Sequence, residues 1–171
     1  MQRRTLAAAA VLAVSMVPAA MAQSYPAKPV RIVVPFAPGG ATDIVTRLLG
    51  QKLTVAWGQQ VIADNRAGAS GNIGAEVAAK APPDGYTLFM TSGSVIAANV
   101  HMFRKLNWNP DKDLVAITNV ASGPQIIATH PSVPARTVKE LIALAKAKPG
   151  EITFGSAGVG TQTHLAAENF L

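Results

Sequence analysis

The sequence predicts an α/β fold with a parallel sheet, and three features of the chain support this prediction. Short runs rich in β-branched residues, such as VRIVV from residue 30, are typical of buried strands. Each run leads into a glycine-rich loop, and each loop leads into a segment with apolar residues at helical spacing. Because strands that alternate with helices are joined by right-handed crossovers, this order predicts parallel strands.

The first unit of this pattern begins at Val30. Its strand ends before the PGG turn at 38–40, and Asp43 is expected to open the helix that follows. The helix is expected to bury one apolar face: Ile44, Val45, Leu48, Leu49 and Leu53. Gly58 ends the helix, and the sequence predicts a second short strand at 61–63.

The same order of elements repeats further along the chain. A glycine loop at 67–74 leads into a helix that ends at Lys80. The PPDG sequence at 82–85 is a strong turn, and a third strand is expected at 86–90 before the TSGS loop at 91–94.

The stretch 114–129 has an extended pattern that is broken near 122–124. One interpretation is a single strand that crosses between two lobes, with the break as a hinge. The other is two strands joined by a loop.

The last elements follow a capping box at 137–140, where Thr137 is the expected N-cap. A helix, a strand at 151–154, a glycine loop and a final helix are expected in that order. The final helix reaches Leu171 with neither a cap nor a stop signal, so the sequence predicts a truncated chain.

The first 22 residues have the layout of a secretory signal peptide. Arg3 and Arg4 form a basic region, an uncharged stretch follows at 6–17, and an A-x-A site at 20–22 precedes Gln23. A membrane anchor is the alternative, but the apolar run is short and Pro18 interrupts it. The sequence therefore predicts export, with a periplasmic location for the mature chain.

Composition excludes several classes of function. The chain has no cysteine, which excludes a disulfide framework, a thiolate zinc site, an iron–sulfur cluster and a cysteine nucleophile. Its net charge is +6, or +4 without the two arginines of the predicted signal peptide, and the remaining charge is spread out, without the basic runs and interleaved aromatics of a nucleic-acid surface. A mild positive charge suits an anionic small molecule better.

The glycine loops are the candidate ligand site. The loops at 38–42, 67–74, 91–94 and 155–161 each follow a strand and precede a helix, so they are expected at one edge of the sheet. Helix N-termini there would favour a carboxylate or a phosphate. The alternative is that these are ordinary turns that need glycine for a positive φ.

The sequence lacks the motifs that are typical of nucleotide binding, metal binding and a catalytic nucleophile. The segment 155–160 is G-x-x-G-x-G rather than a dinucleotide or P-loop sequence, and Phe154 stands where a nucleophile elbow around Ser156 needs glycine. The histidines are isolated from one another: His101, His130 and His164. The sequence therefore predicts no metal and no cofactor.

Three charged or titratable positions have two interpretations each. Asp43 is either a charge at a helix N-terminus or the residue that holds the first loop in shape. Arg66 is either a carboxylate partner or a solvated surface charge. His164 is expected to hydrogen-bond Glu168 four residues later, as a structural contact or as a proton relay.

Four strings, in order, resemble the Bug-type receptors, the extracytoplasmic solute-binding proteins of tripartite tricarboxylate transporters. They are PFAPGGATD at 35–43, NRAGASGNIG at 65–74, PDGYTL at 83–88 and GSAGVGTQTHLAAE at 155–168. The family usually has glycine where this chain has Ala167, a small change on a helix.

The resemblance implies a two-lobed, periplasmic-binding-protein-like (Venus flytrap) fold with parallel-rich sheets. Residues 23–121 would form lobe 1, and residues 122–171 a partial lobe 2. Family members are longer and return from the second lobe to complete the first, so the resemblance implies a truncated chain that is marginally stable or does not bind.

The resemblance also implies the function and the residues that carry it. The protein would be a monomeric receptor that captures a carboxylated small molecule for the membrane components of a tripartite tricarboxylate-type transporter. Two loops and one supporting segment would bind the carboxylate: Phe36, Gly39, Gly40 and Asp43, then Ser92 and Ser94, then Ser156, Ala157, Gly158 and Thr161. The alternative function is an exported hydrolase that uses Ser156 with a histidine, and it requires a base and an orienting acid around that serine.

Overall fold

The computed structural model describes residues 24–170, and the predicted signal peptide at 1–22 lies outside the described residues. No helix in this range is both long enough and apolar enough to cross a membrane. The strands are β1 (Val30–Val34), β2 (Val61–Asn65) and β3 (Thr87–Phe89). The helices are α1 (Ala41–Trp57), α2 (Asn72–Ala79), α3 (Asn99–Met102), α4 (Pro110–Asp113), α5 (Val138–Ala147) and α6 (Gln162–Phe170). A 3₁₀ turn (Ala69–Gly71) precedes α2, and a π-helical turn (Ser94–Ala98) precedes α3.

The three strands form one parallel sheet in the order β2–β1–β3. In its register Val30 pairs with Val61, and Ile32 pairs with Leu88. The central strand is the most buried, because four of its five residues are shielded from solvent: Val30, Ile32, Val33 and Val34. The predicted parallel α/β sheet is therefore confirmed, and the carboxyl ends of all three strands lie at one edge.

Helix α1 begins two residues earlier than predicted, and its predicted apolar face is wrong in part. The buried residues of α1 are Asp43, Thr46 and Gly50. Ile44 and Leu48 are instead 51% and 59% exposed, and the other three predicted residues are half-buried.

Small and polar residues carry the contact between α1 and the sheet. A Cβ built at Gly50 would lie 3.5 Å from Cγ1 of Val61, so the helix backbone rests close against β2. Thr46 is fully buried, and its hydroxyl donates a 2.7 Å hydrogen bond to the carbonyl of Thr42. Apolar spacing predicted this face only in part, because its most buried positions include a glycine and a threonine whose polar atom is satisfied locally.

A cluster of buried side chains lies where the chain leaves the central strand. It is centred on Ala75 of α2, Val95 of the π-helical turn, and Trp108. Phe36, the second residue after β1, packs against this cluster and is half-buried. The cluster therefore ties α2 and the π-helical turn together beside the start of the first glycine loop.

Two predicted strand regions are wrong. Neither 114–129 nor 151–154 forms a strand, and within 114–129 Val115 and Ile126 are 91% and 82% exposed. A strand needs a neighbour to exchange backbone hydrogen bonds with. Between residues 24 and 170 no segment pairs with either stretch. Neither interpretation of 114–129 as strand is therefore supported.

The N-cap half of the predicted capping box at the start of α5 is confirmed, whereas the Glu140 carboxylate bonds the N–H of Arg136 and not that of Thr137. Thr137 Oγ1 accepts a 3.2 Å hydrogen bond from the backbone N–H of Glu140, and the Glu140 carboxylate accepts one from the N–H of Arg136 at 2.7 Å. The two bonds satisfy N–H groups that the helix itself cannot pair.

Thr137→Ala is expected to lower the opening free energy of α5 by about 1 kcal/mol, because the cap acceptor is lost. Thr137→Ser keeps the hydroxyl and is the matched control. Amide hydrogen exchange over 138–147 measures the effect. Equal exchange in the two variants would contradict the role of the cap.

Candidate functional site

Three loops leave the carboxyl edge of the sheet and pack against one another. They follow β1, β2 and β3, at 35–40, 66–71 and 90–93. A Cβ built at Gly71 would lie 2.7 Å from Val95 and 3.3 Å from Pro35. Side chains larger than hydrogen do not fit there, so glycine lets the three connections converge. The predicted gathering of these loops at one edge is confirmed.

Asp43 is the centre of a hydrogen-bond network that shapes the first loop. Its Oδ2 accepts from the backbone N–H of Gly39 and from Nε of Arg47, both at 2.9 Å. Its Oδ1 accepts from Nδ2 of Asn65 at 2.9 Å, and the same amide donates to the carbonyl of Phe36 at 3.1 Å. Of the two interpretations of Asp43, the structure supports the one in which it holds the loop in shape.

The same network keeps Asp43 ionised. The hydrogen bond from Arg47 is the largest cause, followed by those from Gly39 and Asn65, and together they hold the pKa of Asp43 well below its ordinary value. The residue is only 2% exposed. Its negative charge is therefore directed at the loop and at Arg47 rather than at solvent.

The N-terminus of α1 is open toward the loop. Gly40 is the N-cap residue and, having no side chain, makes no capping hydrogen bond. Gly39 and Gly40 are both exposed, and Gly39 has a φ of +87°. The first turn of this 17-residue helix thus presents N–H groups without a side-chain cap, while the Asp43 carboxylate in the same turn is bonded to Gly39, Arg47 and Asn65.

The serines after β3 lie at the same edge of the sheet. Ser92 Oγ and Ser94 Oγ are 3.0 Å apart, and the N–H of Val95 donates to the carbonyl of Ser92 at 3.2 Å. Ser94 is buried and Ser92 is half-buried. Both serines thus follow β3 at the carboxyl edge of the sheet and bond within their own segment, and their role as a supporting segment of the site stays a prediction.

The second predicted loop, 155–161, is folded onto itself. The N–H of Gly158 donates to Ser156 Oγ at 3.3 Å, and the N–H of Ala157 donates to Thr163 Oγ1 at 3.1 Å. Thr161 Oγ1 donates to the carbonyl of Gly158 at 2.7 Å and is 4% exposed. Ser156, Ala157 and Gly158 are exposed, so they face solvent while Thr161 closes the loop from inside.

The second loop reaches the sheet edge through a residue that sequence analysis did not select. Ser70, in the loop after β2, donates its hydroxyl hydrogen to the carbonyl of Val159. Among residues 24–170, this is the hydrogen bond that joins 155–161 to the sheet edge, and none joins it to 36–43. The structure therefore brings the second loop to the loop after β2.

Sequence reasoning also missed Arg47 and Asn65. Arg47 lies four residues after Asp43 on α1, a spacing that favours an ion pair. Asn65 is the last residue of β2, where a polar side chain at the carboxyl edge is a usable signal.

The remaining titratable candidates form local pairs. Arg66 Nε donates to Asp64 Oδ1 at 2.9 Å, which makes it a surface pair with its neighbour. His164 Nε2 lies 3.5 Å from Glu168 Oε1, in the predicted i,i+4 arrangement. No group of three His, Cys, Asp or Glu side chains within residues 24–170 could hold a metal ion.

Two surface hollows lie away from the glycine loops. One, of about 450 Å³, is lined by residues that include Ile96, His101 and Asp111. The other, of about 590 Å³, lies between Thr129 and Glu140. Neither is lined by a predicted ligand residue, and both are open to solvent.

Comparison with known proteins connects this geometry to a family. The sequence pattern described as "Tripartite tricarboxylate transporter family receptor" matches residues 45–171. Protein BugT of Bordetella pertussis is 39% identical over 150 residues, which cover 87% of this chain and 46% of BugT.

Two solved structures also resemble the chain, one over most of its length and the other over about half of it. Rpa4515 of R. palustris, with adipate, is 36% identical with a TM-score of 0.83, over 85% of this chain and 49% of its own. MatC (Rpa3494) from Rhodopseudomonas palustris, with bound malate, is 42% identical with a TM-score of 0.50. The match covers 52% of this chain and 30% of the MatC chain. The chain spans about half the length of the curated relatives it matches.

Proposed function

We propose a function for this protein from one premise: the chain belongs to the tripartite tricarboxylate transporter receptor family. The function is that of a receptor that captures a carboxylated small molecule outside the cytoplasm and delivers it to the membrane components of a transporter. A relative that holds adipate and another that holds malate support a dicarboxylate as the ligand.

One observation carries the proposal at the level of atoms, namely the open N-terminus of α1. Its first-turn N–H groups lack a side-chain cap, and they lie beside the exposed Gly39 and Gly40. A carboxylate is the natural partner of such N–H groups, since they supply hydrogen bonds and a partial positive charge together. No arginine lies in either loop, so backbone groups rather than a guanidinium would hold the ligand.

The proposed site divides into groups that contact the ligand and groups that shape the loops. Contacts come from these residues: Phe36, Gly39, Gly40, Ser92, Ser156, Ala157 and Gly158. Asp43, Ser94 and Thr161 act by holding the loops, since all three are buried and bonded within their own segments.

The architecture that we propose around this site has two lobes. Residues 23–121 belong to the first and 122–171 to the second, with a hinge near 122–124. The receptor acts as a monomer in the periplasm, and it binds its ligand reversibly without nucleic acid, metal or cofactor.

The hydrolase alternative has no support in the surroundings of Ser156. The hydrogen bonds of its hydroxyl go to Gly158, at 3.3 Å from the N–H and 3.5 Å to the carbonyl. A nucleophilic serine needs a histidine within hydrogen-bond reach. Its position on an exposed loop suits a ligand contact instead.

Calorimetry on the protein expressed from its complete gene tests the proposal. Adipate and malate are expected to bind at least about tenfold more tightly than adipamide, the neutral analogue of adipate, because charged acceptors make the stronger hydrogen bonds. Absence of binding by any mono-, di- or tricarboxylate would contradict the receptor function. Turnover of an ester that Ser156→Ala abolishes would instead support the hydrolase.

A further inference from the structure

We propose that Ser70 is a positioning residue that holds the second ligand loop, 155–161, against the carboxyl edge of the sheet. The inference deepens the proposed function and rests on it. It assigns a role to the glycine loop after β2, at 67–74, none of whose residues is among the proposed ligand contacts.

The backbone of this loop has an uncommon conformation that aims the Ser70 side chain. Ala69 and Ser70 have φ values of 46° and 55°, in the left-handed region that residues other than glycine seldom adopt. Such a conformation persists only where the surroundings fix it. The contacts of Ser70 must therefore stabilise this backbone conformation.

A buried amide network fixes the loop. Asn99 is fully buried, and its Nδ2 donates to the carbonyl of Ser70 at 3.0 Å and to Oδ1 of Asn72 at 2.9 Å. Trp108 Nε1 donates to the same Oδ1 at 3.3 Å. The carbonyl of Ser70 is thus tied to the buried cluster, which leaves the hydroxyl free to point outward.

The hydroxyl then reaches the second loop at Val159. Its hydrogen bond to the Val159 carbonyl joins residues 89 positions apart in the sequence. A second contact lies one residue further on, because a Cβ built at Gly160 would lie 2.6 Å from Cε of Met102. The second loop is therefore hydrogen-bonded at Val159 and closely packed at Gly160, directly before Thr161 and the start of α6.

This hold favours one arrangement of the two ligand loops. The hydrogen bond forms only when 155–161 lies at the sheet edge, so it increases the population of that arrangement before a ligand arrives. A ligand that needs both loops then loses less freedom on binding. Removal of the Ser70 hydroxyl is therefore expected both to loosen the loop at 155–161 and to weaken binding of the carboxylate.

Two variants separate the hydroxyl from the backbone conformation. Ser70→Ala removes the hydroxyl and keeps a Cβ at a positive φ, whereas Ser70→Gly removes it and adopts that φ without cost. In both, amides in 155–163 are expected to exchange about two- to tenfold faster, the factor that one net hydrogen bond represents. The affinity for adipate or malate is expected to fall by a similar factor. Exchange over α5, at 138–147, is expected to stay the same.

Ser132→Ala is the matched control, because that hydroxyl is exposed and bonds its neighbour His130. Its exchange over 155–163 should equal that of the unchanged protein. An unaltered exchange rate over 155–163 in Ser70→Ala would overturn the proposal. A faster rate in Ser70→Ala together with an unaltered rate in Ser70→Gly would also overturn it. Faster exchange in both variants with no binding of any carboxylate would contradict the proposed function and leave the hold of Ser70 on the loop supported.

Discussion

Gly74→Ala is expected to destabilise the protein by about 1–3 kcal/mol, the usual cost of an added methyl group in a packed interior. A Cβ built at Gly74 would lie 2.8 Å from both Cα and Cβ of Pro35 and 3.0 Å from the carbonyl oxygen of Arg66. Real Cβ atoms do not approach other atoms so closely, and backbone atoms cannot rotate away as a side chain can. Relief therefore requires α2 to move off the end of β1.

Gly93→Ala is the matched control, because it adds the same atom where there is room. Gly93 has helical angles (φ −57°, ψ −29°), and no heavy atom lies within 4 Å of its built Cβ. Its unfolding free energy is expected to stay the same or to rise by about 0.4–1 kcal/mol, since alanine restricts the unfolded chain. Urea unfolding of both variants measures the difference. Equal midpoints would contradict the close contact of α2 with Pro35.

The sheet and the helices of the first part of the chain could be predicted because their signals are local. A β-branched run, a PGG turn and apolar residues at helical spacing each lie within a few residues of one another. The side of α1 that faces the sheet could not be predicted in the same way. Its contact depends on Gly50 and Thr46, whose burial follows from how close β2 comes rather than from their own polarity.

Strand signals in 114–129 and 151–154 show the opposite error. Their β-branched residues fit a pleated surface, yet strand formation depends on a neighbouring strand that local sequence does not encode. Within residues 24–170 no such neighbour pairs with them. The residues of both segments therefore have a high strand propensity, but the propensity alone predicted strands that do not form.

The candidate site was predictable in position but not in its supporting contacts. Topology places the loops after parallel strands at one edge, which sequence order alone can indicate. The supporting hydrogen bonds could not be predicted in this way, because Asn65 is 22 residues from Asp43 and Val159 is 89 residues from Ser70. Contacts at such separations are set by packing.

Asp43→Asn is expected to weaken carboxylate binding by about 10- to 100-fold, the cost of one or two charge-assisted hydrogen bonds. The direction of the change decides between two roles. If the Asp43 charge acted on the ligand directly, its removal would reduce repulsion and strengthen binding. If the residue shapes the loop, one or two of its three donors lose their acceptor, because asparagine replaces one carboxylate oxygen with an NH₂ group.

Calorimetry with adipate and malate measures the change, and Asp111→Asn is the matched control. It makes the same change in charge at an exposed residue outside the two ligand loops and is expected to leave affinity unchanged. Tighter binding of adipate or malate by Asp43→Asn would contradict the positioning role of Asp43. Equal affinity in both variants would show that neither the charge nor the hydrogen bonds of Asp43 matter for the ligand.

Acid unfolding gives an independent test of the same network. The pKa of Asp43 is depressed in the folded state, chiefly by the hydrogen bond from Arg47, so its contribution to stability is fully present above the ordinary value of 3.8. That contribution is lost as the pH falls from there toward the lower folded pKa, because the unfolded chain takes up a proton first. The gap in urea midpoint between the unchanged protein and Asp43→Asn should therefore be largest at pH 7 and narrower at pH 3. A gap that stays constant over this range would mean that Arg47, Gly39 and Asn65 do not stabilise the carboxylate, and the first loop would then need another source of its shape.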